Sequence, residues 1–310
     1  MKEARAQSAD ITKPRLFERQ RQLLALVRGL GGSVGNLDFQ KLLFLYSHEP
    51  YAEKLYEFVP YKFGAFSFTS YADRRKLVER GYLADDANRW RLTDLGARTA
   101  DLTGIEHLRE FVRSSRGLRG DALVAETYRR FPYYATRSEI AGRALRGDRR
   151  ALQQIESARS AKSPRPLSTI GYEGRSLENY LNRLLRAGTT LLCDVRKNPI
   201  SRKYGFSKKT LSNGCEGVGI KYRHVPELGI TSDKRRNLET QADYDALFED
   251  YENNHLPMNE ASVARIREWI RSGERVTLTC YELLPEQCHR HCVADALTQA
   301  GGRKIVAKHL

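Results

Sequence analysis

Between residues 15 and 100 apolar side chains recur at helical spacing in three segments. "LFERQRQLLALVRGL" predicts a helix that stops at Gly31-Gly32. "NLDFQKLLFLYS" predicts a second, and "SYADRRKLVERG", ending at Gly81, a third. Between the last two, "YEFVPYKFGAFSF" is aromatic and carries a proline and a glycine, which suits a short strand and turn. "YLADDANRWRLTDLGARTA" predicts a strand, a turn at Asp85-Asp86-Ala87-Asn88, a second strand and a helix capped by Thr93. Residues 105–160 have helical periodicity, as in "DALVAETYRRF" and "SEIAGRALRGDRRALQQIESA". From Ser157 to Pro166 the chain is Ser, Ala, Pro and basic residues without period, as expected of a linker. Beyond it strands and helices alternate. "LSTIG", "TTLLCDVR", "IKYRHVP", "RVTLTCYE" and "RKIVAKH" predict strands. "SLENYLNRLLRAG", "DYDALFEDYEN", "SVARIREWIRSG" and a stretch beginning at Pro285, "PEQCHRHCVADALTQAG", predict helices.

Such alternation implies an α/β fold: an open, mostly parallel, Rossmann-like sheet with helices on both faces. Three helices followed by a hairpin is the order of a winged helix, and "LVERGYL…RWRLTDLG" resembles the end of one. "QKLLFLYS…VPYKFGAFS" is also similar to a Panacea-type domain. The expected organisation is a winged-helix-like domain over 1–104, a helical bridge over 105–160 and an α/β catalytic domain over 161–310. The winged-helix resemblance implies that the helix before the hairpin enters a major groove, presenting Arg74, Arg75, Lys76 and Arg80 to DNA. The plainer account of these residues is a solvated helix face.

Charge bears on the partner. The net charge is +15. Residues 1–160 hold 29 basic and 20 acidic side chains and residues 161–310 hold 24 and 18, so both halves are cationic and neither owes it to a tail. A folded chain of this kind suggests nucleic acid, with DNA as the expected partner. No apolar run approaches the ~20 residues of a membrane span, and the start lacks a signal-peptide core. All five cysteines lie after residue 190, which suits a reducing cytoplasm better than a disulfide framework.

Three predicted strands end on an acid: Glu173 after "STIGY", Asp194 in "LLCDVR" and Glu282 in "LTCYE". Ligands of open α/β sheets bind beyond the carboxyl ends of the strands, so these acids, with Arg175 and Arg196, are expected to share one rim. Structural ion pairs between neighbouring loops are the competing account. "TIGYEGRSLENYL", "LLCDVRKNPISRKYGFSKKTL", "GIKYRHVPELG" and "TCYELLPEQCHR" resemble, in order, the blocks of domain-of-unknown-function family four-eight-eight over about residues 167–300. The resemblance implies the fold and the place of the site, carried by Tyr172, Glu173, Arg175, Asp194, Arg196, Pro199, Ser201, Tyr222, Glu282, Cys288, His289 and Arg290. It implies no chemistry.

The densest stretch is "TCYELLPEQCHRHC", residues 279–292. Cys280, Cys288, His289 and Cys292 could form a composite zinc site, and Cys288 beside His289 a nucleophile. The preferred reading is a strand, a turn at Leu283–Pro285 and a helix starting at Pro285. The free N–H groups of that helix, with His289 and Arg290, would cradle a phosphate. No metal and no cofactor are expected. After Asp194, "RKNPISRKYGFSKKTL" interleaves Arg202, Lys203 and other cations with Tyr204 and Phe206, a pattern that contacts phosphates and stacks on unpaired bases.

Together these features predict a hydrolase acting on DNA, a glycosylase that cuts the base–sugar bond of a flipped, modified base in repair or antiviral defence. Asp194, Glu173 and Glu282 would be catalytic. The alternatives are a metal-dependent nuclease using the same acids, or a winged-helix regulator whose α/β domain senses a nucleotide.

Overall fold

The computed structural model describes residues 15–101, 106–159, 165–231, 233–235, 238–299 and 306–310. Part of the expected linker, residues 160–164, lies outside them.

Helix α1 (Glu18–Gly29) ends where Gly31 and Gly32 take left-handed φ values of 91° and 79°. Strand β1 (Ser33–Gly35) leads into α2 (Asn36–Tyr46), the hairpin β2 (Val59–Tyr61) and β3 (Gly64–Phe66), and α3 (Phe68–Glu79). Then follow β4 (Arg89–Arg91) and α4 (Asp94–Thr99), capped by Thr93 as expected. Leu23, Leu24, Leu26, Phe39, Leu42 and Phe44 fill the core between α1 and α2. The expected hairpin over 82–92 is reduced to one bridge, between Leu83 and Leu92. β4 pairs instead with β1, Trp90 opposite Val34. Trp90 is fully buried and stacks on Phe39 at 4.0 Å, which draws its strand onto the start of α2. Helices α5 (Glu106–Ser114), α6 (Gly120–Arg130), α7 (Pro132–Ala135), α8 (Ala141–Ala144) and α9 (Arg149–Ser157) follow. α5 packs on α1 and α6 on α2.

The second half holds β5 (Leu167–Gly171), β6 (Leu191–Asp194), β7 (Lys221–His224), β8 (Val276–Cys280) and β9 (Lys308–His309). They form a parallel open sheet in the order β7-β6-β8-β5-β9. Alternate residues face opposite layers. Ile170, Leu192 and Tyr222 pack with α10 (Leu177–Arg186) and α11 (Lys208–Gly217). Leu191, Cys193 and Leu278 pack on the other side with α12 (Gln241–Asp250), α14 (Glu260–Arg271) and α15 (Arg290–Gln299), the short α13 (Leu256–Met258) lying between α12 and α14. α10 begins at Ser176, whose hydroxyl accepts from the Asn179 N–H at 3.0 Å. No described helix is long and apolar enough to cross a membrane.

The two halves are continuous. Val59 of β2 belongs to the buried cluster of Leu181 and Leu184. Asn182 donates to the Phe58 carbonyl at 2.7 Å and accepts from the Tyr133 hydroxyl at 2.8 Å. Glu178, fully buried on α10, accepts from the Thr69 N–H (2.7 Å), the Thr69 hydroxyl (3.0 Å) and the Ser67 hydroxyl (3.1 Å). Burial raises the Glu178 pKa, and these hydrogen bonds work against that rise.

This contact covers the first turn of α3, the part of a recognition helix that meets base edges first. Arg74 is used internally: it lies over Trp90 and donates to the Arg89 and Asp86 carbonyls. Arg75 and Lys76 remain exposed on α3.

Candidate functional site at the carboxyl rim of the sheet

β6, β8 and β5 are neighbours, so Asp194, Glu282 and Glu173 gather at one end of the sheet as expected. Their surroundings differ. Asp194 is fully buried. Its Oδ1 accepts from Arg196 Nε (2.8 Å) and its Oδ2 from Arg196 Nη2 (2.5 Å) and the Tyr222 hydroxyl (2.6 Å). Arg196 Nη1 donates onward to the Phe206 carbonyl at 2.8 Å and the Tyr172 hydroxyl at 3.1 Å. Burial opposes the charged form of Arg196, but the hydrogen bonds and charge of Asp194 outweigh it and raise its pKa. Burial likewise pushes the Tyr222 hydroxyl up, and Asp194 adds to the rise. Tyr172 stacks on Phe206 at 4.4 Å, nearly parallel. The structure therefore places Asp194, Arg196, Tyr172, Tyr222 and Phe206 in a buried layer under the rim. Phe206 faces the core and not a base.

Glu173 stands above that layer, half-buried, its Oε2 accepting from the Leu283 N–H at 2.9 Å. Lys203 lies beside it and donates to the Tyr172 carbonyl at 3.3 Å; burial lowers its pKa, and Glu173 opposes this. Ser201 fixes the loop, its hydroxyl accepting from the Lys203 N–H at 3.1 Å. Arg202 is exposed, and the Tyr204 hydroxyl donates to the Phe68 carbonyl. Arg175 reaches the Leu310 carbonyl through Nη2 at 3.1 Å, while its buried Nε and Nη1 have no partner among the described residues. The exposed apolar side chains Ile200, Tyr281, Leu283 and Leu284 complete the surface.

The opening of the last helix differs from expectation. Pro285–Gln287 forms a single 3-10 turn, Cys288 is extended, and α15 begins at Arg290. Arg290 is the reason: buried, it donates to the carbonyls of Glu282 (2.6 Å) and Leu283 (3.0 Å) and curls the loop inward. Gly171 lets this loop close, because a Cβ there would overlap the Glu282 carbonyl. His289 and Arg290 thus hold the loop from inside rather than line a phosphate cradle at Pro285.

Cys280, Cys288 and His289 come together, all buried. Cys292 lies apart, beside Glu252 and His291. Cys280 Sγ is 3.4 Å from Glu282 Oε2 and 3.8 Å from His289 Nδ1. Arg235 crosses the group, donating to Glu282 Oε1 (2.6 Å) and His289 Nδ1 (2.7 Å) and approaching Cys280 Sγ at 3.8 Å. With Nδ1 accepting, His289 carries its proton on Nε2 and donates to the Val195 carbonyl at 3.0 Å. Burial opposes ionisation of Cys280, but Cys288, His289 and Arg235 outweigh it and bring its thiol well below the ordinary range. Burial and the neighbouring sulfur push Cys288 well above it. Burial and Cys280 raise the Glu282 pKa against the pull of Arg235.

The order, spacing and rim position of these residues agree with one finding from known proteins. Residues 176–297 match the family model described as "Domain of unknown function DUF488". These residues form a DUF488 domain. Asp194, Arg196, Glu282 and the Cys280–His289 group lie inside the DUF488 match, whereas Tyr172, Glu173 and Arg175 precede it. No curated protein and no solved structure matches the chain, and nothing identifies the region before the DUF488 domain. Arg235 and Tyr281 were not expected from sequence. Tyr281 sits within "TCYE" and carried an aromatic signal, whereas Arg235 lies in a loop with no period to mark it.

Proposed function

We propose that the protein acts on DNA, binding a strand across the carboxyl rim and hydrolysing the base–sugar bond of a nucleotide drawn out of the stack, as a DNA glycosylase does. The observation that carries this reading is the setting of Glu173. The Leu283 N–H fixes its carboxylate at the rim, Lys203 and the exposed Tyr281 interact with it, and Arg202 and Leu284 are exposed on the same loops. Cations among exposed apolar side chains suit phosphates alternating with unstacked bases. An ionised carboxylate there would stabilise positive charge developing on the sugar or orient the attacking water. Asp194 then acts as a positioning residue, through Arg196 and Tyr172.

The geometry favours this over a three-acid metal nuclease. Asp194 spends both oxygens on Arg196 and Tyr222, and Glu282 turns one to Arg235, so the three acids do not converge on one ion. The test is incubation with plain and base-modified DNA, single- and double-stranded, then gel analysis with and without alkali. Breaks that need alkali support base excision, and immediate breaks support a nuclease. DNA bound but unchanged would support the regulator.

A further inference from the structure

We propose that Cys280, Cys288 and His289 bind a divalent cation of the zinc class. This site does not depend on the reading of DNA chemistry. Zinc at its usual bond lengths, about 2.3 Å to sulfur and 2.0–2.2 Å to nitrogen or oxygen, sets tetrahedral donors roughly 3.6 Å apart. Here Cys280 Sγ lies 3.8 Å from His289 Nδ1. The donor atoms of Cys280, Cys288 and His289 all lie within 4.8 Å of one another. They come from the end of one strand and the turn entering α15, and both elements are held by packing, with Cys280 and Cys288 at 1% and 0% exposure.

The outer contacts fit as well. A histidine that binds metal through one ring nitrogen commonly donates the other N–H to a carbonyl or carboxylate, which fixes its tautomer and orientation. His289 does so with the Val195 carbonyl at 3.0 Å, leaving Nδ1 turned toward the sulfurs. The group already attracts a cation: the Arg235 guanidinium points at Glu282, at His289 Nδ1 and at Cys280 Sγ. A guanidinium cannot bring the three donors to one point, and a metal ion can. On metal entry Arg235 Nη2 gives up His289 Nδ1, while Nη1 keeps Glu282 Oε1. Two thiolates and an imidazole select zinc, or cobalt as its probe, over magnesium or calcium.

The test uses full-length protein purified under reducing conditions, with zinc measured per chain and the stripped protein titrated with Co(II). We expect one zinc per chain and thiolate-to-cobalt charge-transfer absorption. Cys280→Ser, Cys288→Ser and His289→Gln should each weaken cobalt binding at least tenfold. Cys215→Ser, a buried cysteine on the opposite face of the sheet, should bind as the wild type does. Three results would overturn the proposal: reduced wild-type protein that takes up neither zinc nor cobalt, a Cys280–Cys288 disulfide as the stable form, or metal retained by Cys280→Ser. The wild-type titration decides the matter even if a variant fails to fold.

Discussion

Arg196 grips both carboxylate oxygens of Asp194, two residues before it, at 2.8 and 2.5 Å, with 6% of the arginine side chain and none of the aspartate exposed. The pair is a strut under the rim. Removing one partner of such a pair leaves an uncompensated buried charge. Asp194→Asn should therefore lower unfolding stability by about 3–5 kcal/mol, read from the urea midpoint. A variant as stable as the wild type would mean that the pair does not carry the rim.

Glu173→Gln should behave in the opposite way. Its amide oxygen can still accept from the Leu283 N–H, so the fold should persist and DNA should bind with similar affinity. Turnover should drop by roughly 10²–10³ in single-turnover assays on whichever DNA proves to be a substrate. Unchanged turnover would remove Glu173 from the chemistry.

The rim and α3 make separable predictions about affinity. Arg202→Ala and Lys203→Ala should each weaken DNA binding and reduce the salt slope by about 1. Arg75→Ala and Lys76→Ala should leave both unchanged, because the leading turn of α3 is held by Glu178. Binding isotherms at several salt concentrations check this, and the reverse pattern would favour α3 as the DNA-contacting element.

Glu178→Ala would strip three buried or half-buried donors of their acceptor at once. Each unsatisfied group costs roughly 1–3 kcal/mol, so the loss should be at least about 3 kcal/mol. It should also loosen the two halves, visible as faster amide exchange at Thr69.

Lys41 links stability to pH. It is 1% exposed, donates to the Ala65 carbonyl at 3.0 Å, and burial pulls its pKa down to about 7. In the unfolded chain the value returns to 10.5. Below pH 7 both states are charged and the burial cost is present in full. Between 7 and 10.5 the unfolded state binds more protons, so stability rises with pH, by up to about 1.4 kcal/mol per unit. Above that window both states are neutral and the slope ends. Lys41→Met should flatten this rise, measured as urea midpoints at about pH 7 and pH 9.

Much of the framework could be read from local pattern. The strand LSTIG, the Ser176 cap and the Gly31-Gly32 stop follow from side-chain period and backbone chemistry, which are local, and the structure shows each of them. The gathering of Glu173, Asp194 and Glu282 was also legible, because parallel strands put their carboxyl ends on one edge. What each acid touches was not. Asp-Val-Arg does not reveal that Asp194 faces Tyr222, since that depends on which strand lies alongside. Phe206 sits in a basic loop yet packs on Tyr172, a contact made across the fold. The start of α15 was misplaced at Pro285 because Arg290, five residues on, turns back to the Glu282 and Leu283 carbonyls.

The grip of Glu178 on α3 also bears on how the chain is made. Thr69 and its acceptor are 109 residues apart, and Val59 must find the cluster of Leu181 and Leu184 across a similar interval. At ribosomal rates of about 5–20 residues per second, the Thr69 amide waits roughly 5–20 s for its partner. Throughout that interval the nascent first half holds an open hairpin and a helix whose Thr69 N–H lacks its acceptor, an exposed surface for chaperones that closes once α10 has emerged.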